Sequence, residues 1–182
     1  MARLARGPHI GLPILIIAAA LVAAPERLPA QTQAPAAPQE APRQEVGIVG
    51  LFLDSASLQP TVVLQGKRDR RSFGMAIGAA EATGIVYPLE NRVPPRPLTH
   101  DLFLTLFGRL KVTVTRVVIT DLKDGIYYAT VFLDAGGKEM QLDARPSDAI
   151  ALAIRAKAPV LVEDRVFDKS ELLPGPHPAP RV

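Results

Sequence analysis

The stretch that most constrains this chain is Asp143-Ala144-Arg145-Pro146-Ser147-Asp148 followed by the unbroken apolar run from Ala149 to Ile154. Pro146 suits a first helical position, where its missing N–H is one of those no helix uses and its fixed φ is already helical. Asp148 then falls in the first turn, where a carboxylate is favoured by the partial positive charge of the helix N-terminus. A helix that is apolar all round must be wrapped by protein on most sides. The sequence therefore sets a charged turn at the mouth of a buried helix, and the rest of the chain has to supply its cover.

Two meanders are legible around that helix. Strands are expected at 46–54, 61–65 and 72–77, and again at 112–121, 126–133 and 139–143, with a short strand at 160–162. The second set is punctuated by Asp124-Gly125 and Gly136-Gly137, residues that tight hairpins favour. Helices are expected at 79–87 and 100–109, and from 146 until Pro159 ends the third. Gly84 weakens the first of these, because an interior glycine costs about 1 kcal/mol against alanine. In the second, Thr99 reads as the N-cap and Leu102, Phe103, Leu106 and Phe107 as a buried stripe at helical spacing. The order βββ-αα-βββ-α-β is α+β: two antiparallel meanders with helices packed on the sheet.

The ends read differently. Of 18 prolines, seven precede Val46 and four lie in 174–180, so residues 31–45 read as an Ala/Pro/Gln-rich linker and 174–182 as a tail. Arg3, Arg6, the apolar run 10–24 and the small Ala30 before Gln31 match an export signal over residues 1–30. The expected location is periplasmic or secreted, with an uncleaved membrane anchor as the alternative.

Composition removes several chemistries. The chain has no cysteine, and its domain (46–173) has one histidine, His100, so disulfides, thiolate catalysis and a multi-histidine zinc site are excluded. A bound metal would be a hard cation such as magnesium or manganese on carboxylates, with Asp101, Asp143 and Asp148 the candidate ligands. Between Val46 and Leu173, 16 Lys and Arg face 15 Asp and Glu, short of the basic excess that non-specific nucleic-acid binding uses. The local exception is Lys67-Arg68-Asp69-Arg70-Arg71, either a solvated hairpin loop or a phosphate-tracking patch.

Ile77-Gly78-Ala79-Ala80-Glu81, Arg96-Pro97-Leu98-Thr99-His100-Asp101, Asp143-Ala144-Arg145-Pro146-Ser147-Asp148-Ala149-Ile150 and Ala158-Pro159 together resemble the bifunctional nuclease domain. That resemblance implies nuclease activity on RNA and DNA, hence a nucleic-acid partner. Phosphodiester hydrolysis needs an activated water, charge neutralisation on the phosphoryl oxygens and help for the leaving oxygen. His100, Asp101 and Asp148 are the candidate catalytic groups, with Arg96, Thr99, Arg145 and Ser147 as candidate substrate contacts. The competing expectation is a non-catalytic binding or regulatory module, in which these Arg, Asp and His residues lock helices to the sheet. A Ser–His–Asp hydrolase ranks third, since Ser147 lies in no glycine-flanked elbow. A homo-oligomer is compatible with either leading reading. A cleft with open, adjacent carboxylates favours cleavage; carboxylates each paired with an arginine or a backbone N–H favour the lock.

Overall fold

The computed structural model describes residues 40–55 and 57–174. The expected signal segment, most of the linker and the tail beyond Pro174 lie outside the described residues. The elements are β1 (Arg43–Leu53), β2 (Pro60–Gly66), β3 (Ser72–Ala76), α1 (Ala79–Leu89), α2 (Thr99–Arg109), β4 (Val112–Lys123), β5 (Ile126–Ala135), β6 (Glu139–Ala144), α3 (Pro146–Ala156), β7 (Val160–Glu163), α4 (Asp164–Lys169) and β8 (Leu172–Leu173).

Both expected meanders form, and β7 fuses them into one eight-stranded sheet of order β6-β5-β4-β7-β1-β2-β3-β8. β7 runs parallel to β4, with Val117–Ile119 beside Val160–Val162, and antiparallel to the start of β1. β1 accordingly begins at Arg43, three residues before the hydrophobic pattern does, because Arg43, Gln44 and Glu45 take their partners from Glu163, Val162 and Leu161. Helix α4 and strand β8 have no counterpart in the sequence reading. Tertiary packing holds both: α4 buries Val166 and Phe167, and β8 pairs with β3 at only two positions.

The sheet curls. Phe73 of β3 stacks on Tyr127 of β5 with ring centroids 5.7 Å apart, although the two strands are five places apart in the sheet order. A flat sheet would hold them about 24 Å apart. Phe167 of α4 meets Phe73 edge-on at 5.2 Å, so three aromatic rings close the fold's centre.

α3 packs against α1, α2, β4 and β5, and Ala149, Ile150, Ala151, Leu152 and Ala153 are all buried, as the apolar run requires. α2 departs from expectation. It buries Leu104 and Phe107 partly against the core, whereas Leu102, Phe103 and Leu106 are exposed. The apolar arc of this helix is wider than the surface that α3 and the sheet offer it.

The charged loop at 67–71 is not an open phosphate patch. Arg68 donates to both carboxylate oxygens of Asp164 at 2.8 and 2.9 Å, and Arg71 donates to Asp69 and to Asp168 at 2.8 Å each. Lys67 pairs with Glu45, and the Arg71 guanidinium lies 4.7 Å over the Phe167 ring. The loop thus ties α4 and β1 to the β2–β3 hairpin, with its charges largely answered inside the domain.

Candidate functional site

Three expected segments converge at the N-termini of α2 and α3. They line a cavity of about 500 Å³ whose wall includes Thr99, His100, Phe103, Phe107, Leu142, Asp143, Arg145 and Asp148. A second hollow of about 430 Å³ lies across Arg145, with Glu81, Tyr127 and Ser147 on its wall. A larger concavity of about 740 Å³, lined by Val49, Phe52 and Leu53 among others, carries none of the motif residues.

Arg145, immediately before α3, is the hub. Its Nε donates to Asp148 Oδ2 at 2.7 Å, its Nη2 to Asp148 Oδ1 at 3.1 Å and its Nη1 to Glu81 Oε1 at 2.8 Å. His100 Nε2 lies 3.3 Å from Asp148 Oδ1, and the His100 side chain is only 12% exposed. Burial pushes the Asp148 carboxyl up, but hydrogen bonds from Arg145 and His100 outweigh it and hold the group below its ordinary value. The paired carboxylates of Asp148 and Glu81 in turn raise Arg145 further above the guanidinium range.

Asp101 is drawn elsewhere. Leu98, not Thr99, occupies the N-cap of α2, and Asp101 Oδ2 accepts the Leu98 N–H at 2.7 Å. That is the acidic half of a capping box, reached from the third helical position. Its other oxygen accepts from Arg155 Nε at 2.7 Å, and Arg155 Nη1 also donates to the carbonyls of Gly84 at 2.5 Å and Ala151 at 3.0 Å. One buried guanidinium therefore staples α1, α2 and α3. Burial raises Asp101, and the bonds from Arg155 and Leu98 bring it below the ordinary value.

The remaining expected residues are spread around this centre. The Asp143 carboxylate is exposed on the cavity wall and makes no hydrogen bond or ion pair with a described residue, and Thr99 is exposed beside it. Ser147 is buried on the wall of the second hollow, and Arg96 is exposed in the loop before α2. Among the described residues, no three His, Asp or Glu side chains converge as a metal centre. Asp101 and Asp148 have both carboxylate oxygens committed, chiefly to arginine, which leaves Asp143 as the candidate ligand whose carboxylate is open to a hard cation.

Glu81, Arg155 and Gly84 were the residues hardest to see in sequence. Glu81 stands there only within the Ile77–Glu81 motif, with no role of its own, and nothing in the sequence pairs Arg155 with Asp101. Gly84 is explained by His100: a Cβ at position 84 would come 2.8 Å from His100 Cε1 and 3.0 Å from Nδ1. Gly84→Ala gains about 1 kcal/mol of helix propensity and loses more to overpacking, typically about 1–3 kcal/mol. A net loss of stability in urea titration, with a displaced His100 ring resonance, is expected.

The depressed carboxyls also fix the sign of the pH response. Asp101 and Asp148 have folded values below their ordinary 3.8, so their contribution is complete above that value. It is lost as pH falls through the lower folded values. Melting temperature should fall steeply below about pH 4, and less steeply in Asp101→Asn, which will start from a lower stability.

Fold and site together define an α+β domain that brings an arginine, a histidine and carboxylates to one cavity between two helix N-termini. Residues 62–174 match the family described as the bifunctional nuclease domain, and the chain belongs to that family. It is 36% identical over 129 residues to an uncharacterised protein of Mycobacterium tuberculosis (strain H37Rv), covering 71% of this chain and 77% of that one. It is 35% identical over 81 residues to bifunctional nuclease 1 of Oryza sativa subsp. japonica and to a bifunctional nuclease of Oryza minuta. Those matches cover 43% of this chain and 24% of each rice protein.

Proposed function

We propose that this domain cleaves phosphodiester bonds of RNA or single-stranded DNA, with the cavity between α2, α3 and β6 as its site. The observation that carries the reading is the cavity wall itself: Arg145, Asp148 and His100 meet there in a member of a nuclease family. Arg145 is the one Lys or Arg on that wall, and its side chain is 64% exposed. An exposed ion pair is worth about 1 kcal/mol or less, so the guanidinium can exchange Glu81 and Asp148 for two phosphoryl oxygens at small cost. Asp148, relieved of its strongest partner, then takes the proton of the attacking water as oxygen bonds to phosphorus and the ester P–O bond breaks. The leaving oxygen takes a proton from solvent. His100 acts as a positioning residue: Asp148 holds its Nε2, and its Nδ1–Cε1 edge lies against Gly84. The N-terminal export signal supports a site of action outside the cytoplasm, which N-terminal sequencing of the exported protein would test by a start at Gln31.

The test is cleavage of labelled single-stranded RNA and DNA by the purified chain, in EDTA and in added magnesium or manganese. Wild type should cut, and the paired carboxylates predict that EDTA leaves the rate largely intact. Asp148→Asn should lower kcat/KM about 10²- to 10⁴-fold, the usual weight of a general base. His100→Ala should lower it less and shift the pH profile. Abolition by EDTA would refute the metal-free arrangement.

A second reading, a binding module, is favoured by one observation: Arg145 and Asp148 are already fully paired with groups of the domain. Folded wild type that binds an oligonucleotide and leaves it uncut would select that reading.

A further inference from the structure

The strip of α2 that the sequence marks for burial is left uncovered by the described residues. His100, Leu104 and Phe107 turn inward, and the adjoining arc carries Leu102, Leu106 and Leu110 at i, i+4 and i+8, with Phe103 beside them. These four are 59%, 50%, 62% and 46% exposed. Met140 and Leu142, on the edge strand β6, continue the apolar surface at 49% and 45%. The whole amounts to about 600 Å², at the top of what a typical monomer exposes.

We propose that this strip is a dimer interface, with α2 packing antiparallel on α2 of a second copy of the chain. The ridge is self-complementary. A two-fold axis at Leu106 seats Leu106 against its own copy and Leu102 against Leu110 of the other, which is what an isologous contact requires. The antiparallel sense opposes the two helix dipoles. With its polar rim, the patch approaches the ~800 Å² per partner of a stable interface. Direct pairing of β6 with itself is the poorer route, because a two-fold at Gln141 sets Glu139 against Asp143, and like charges directly opposite are destabilising. Phe103 belongs both to this strip and to the cavity wall, so the interface borders the site. The proposal does not rest on the cleavage reading.

The chain has no cysteine, which makes the test direct. The purified full chain should sediment at twice the mass of one chain. Leu106→Cys should form a disulfide-linked dimer under mild oxidation at least about tenfold faster than Gln59→Cys in the exposed β1–β2 turn, because only facing residues reach disulfide geometry. Leu102→Cys/Leu110→Cys should cross-link likewise, reporting the antiparallel sense. Leu106→Glu should give single chains with an unchanged circular dichroism spectrum. Wild type that sediments as one chain, alone or while binding lipid vesicles, overturns the proposal. So does a dimer that survives Leu106→Glu, or Leu106→Cys cross-linking no faster than Gln59→Cys.

Discussion

Arg155→Ala is expected to lower the unfolding free energy by about 3 kcal/mol, the lower end of the range for breaking a buried ion pair. The lower end applies because Asp101 is 33% exposed and recovers some solvent, whereas the Arg155 side chain is only 9% exposed. The substitution strands the Gly84 carbonyl, which Pro88 four residues on has no N–H to satisfy, together with one oxygen of Asp101, and each buried acceptor left unmade costs about 1–3 kcal/mol. Three helices are affected at once, so the loss should appear as a lower urea midpoint with the slope unchanged. Arg155→Met separates charge from packing: it keeps most of the apolar stem and should recover only a small part of the loss. Arg155→Lys keeps the charge but cannot reach all three acceptors, because an ammonium lacks the planar fork. A loss below about 1 kcal/mol for Arg155→Ala would mean that the staple is no more than a surface pair.

The same residue marks where sequence reading stopped. The helix at Pro146, its buried run and both glycine turns were legible, because each rests on local chemistry. Gly125, Gly136 and Gly137 do take positive φ values of 78°, 67° and 86°. Pairings across the chain were not legible. No periodicity sets position 155 against position 101, or β7 between β4 and β1. The orientation of α2 was misread for a related reason: its hydrophobic arc is broad enough for two rotations about the helix axis. His100 settles the choice by fitting beside Gly84, and this turns Leu102 and Leu106 outward. The motif residues were legible, but not how the fold distributes them: Thr99, His100, Asp143, Arg145 and Asp148 share one cavity wall, Ser147 lines another hollow and Arg96 stays exposed in a loop. Asp101 and Asp148 occupy equivalent first-turn positions, yet one is a cap and staple partner and the other faces a cavity.

Arg145→Ala should behave as the converse of Arg155→Ala. Its side chain is 64% exposed, so stability should change by about 1 kcal/mol or less, as for other exposed pairs. Catalysis should suffer far more. Arg145 is the one fixed cation on the cavity wall, and removing a single donor to transition-state charge costs about 10²–10³ in rate. Arg145→Lys should restore charge without the two-pronged contact and fall between, because bidentate recognition of a phosphoryl group needs the guanidinium plane. The pair of arginines thus separates two explanations of one motif. If the ion network only locks the fold, Arg145→Ala leaves cleavage untouched in a stable protein. If Arg145 leaves Glu81 and Asp148 to meet the phosphate, kcat/KM falls about a hundredfold or more while the urea midpoint barely moves. Both quantities can be read on the same preparation, and only the second outcome makes this cavity a place where phosphodiesters are cut.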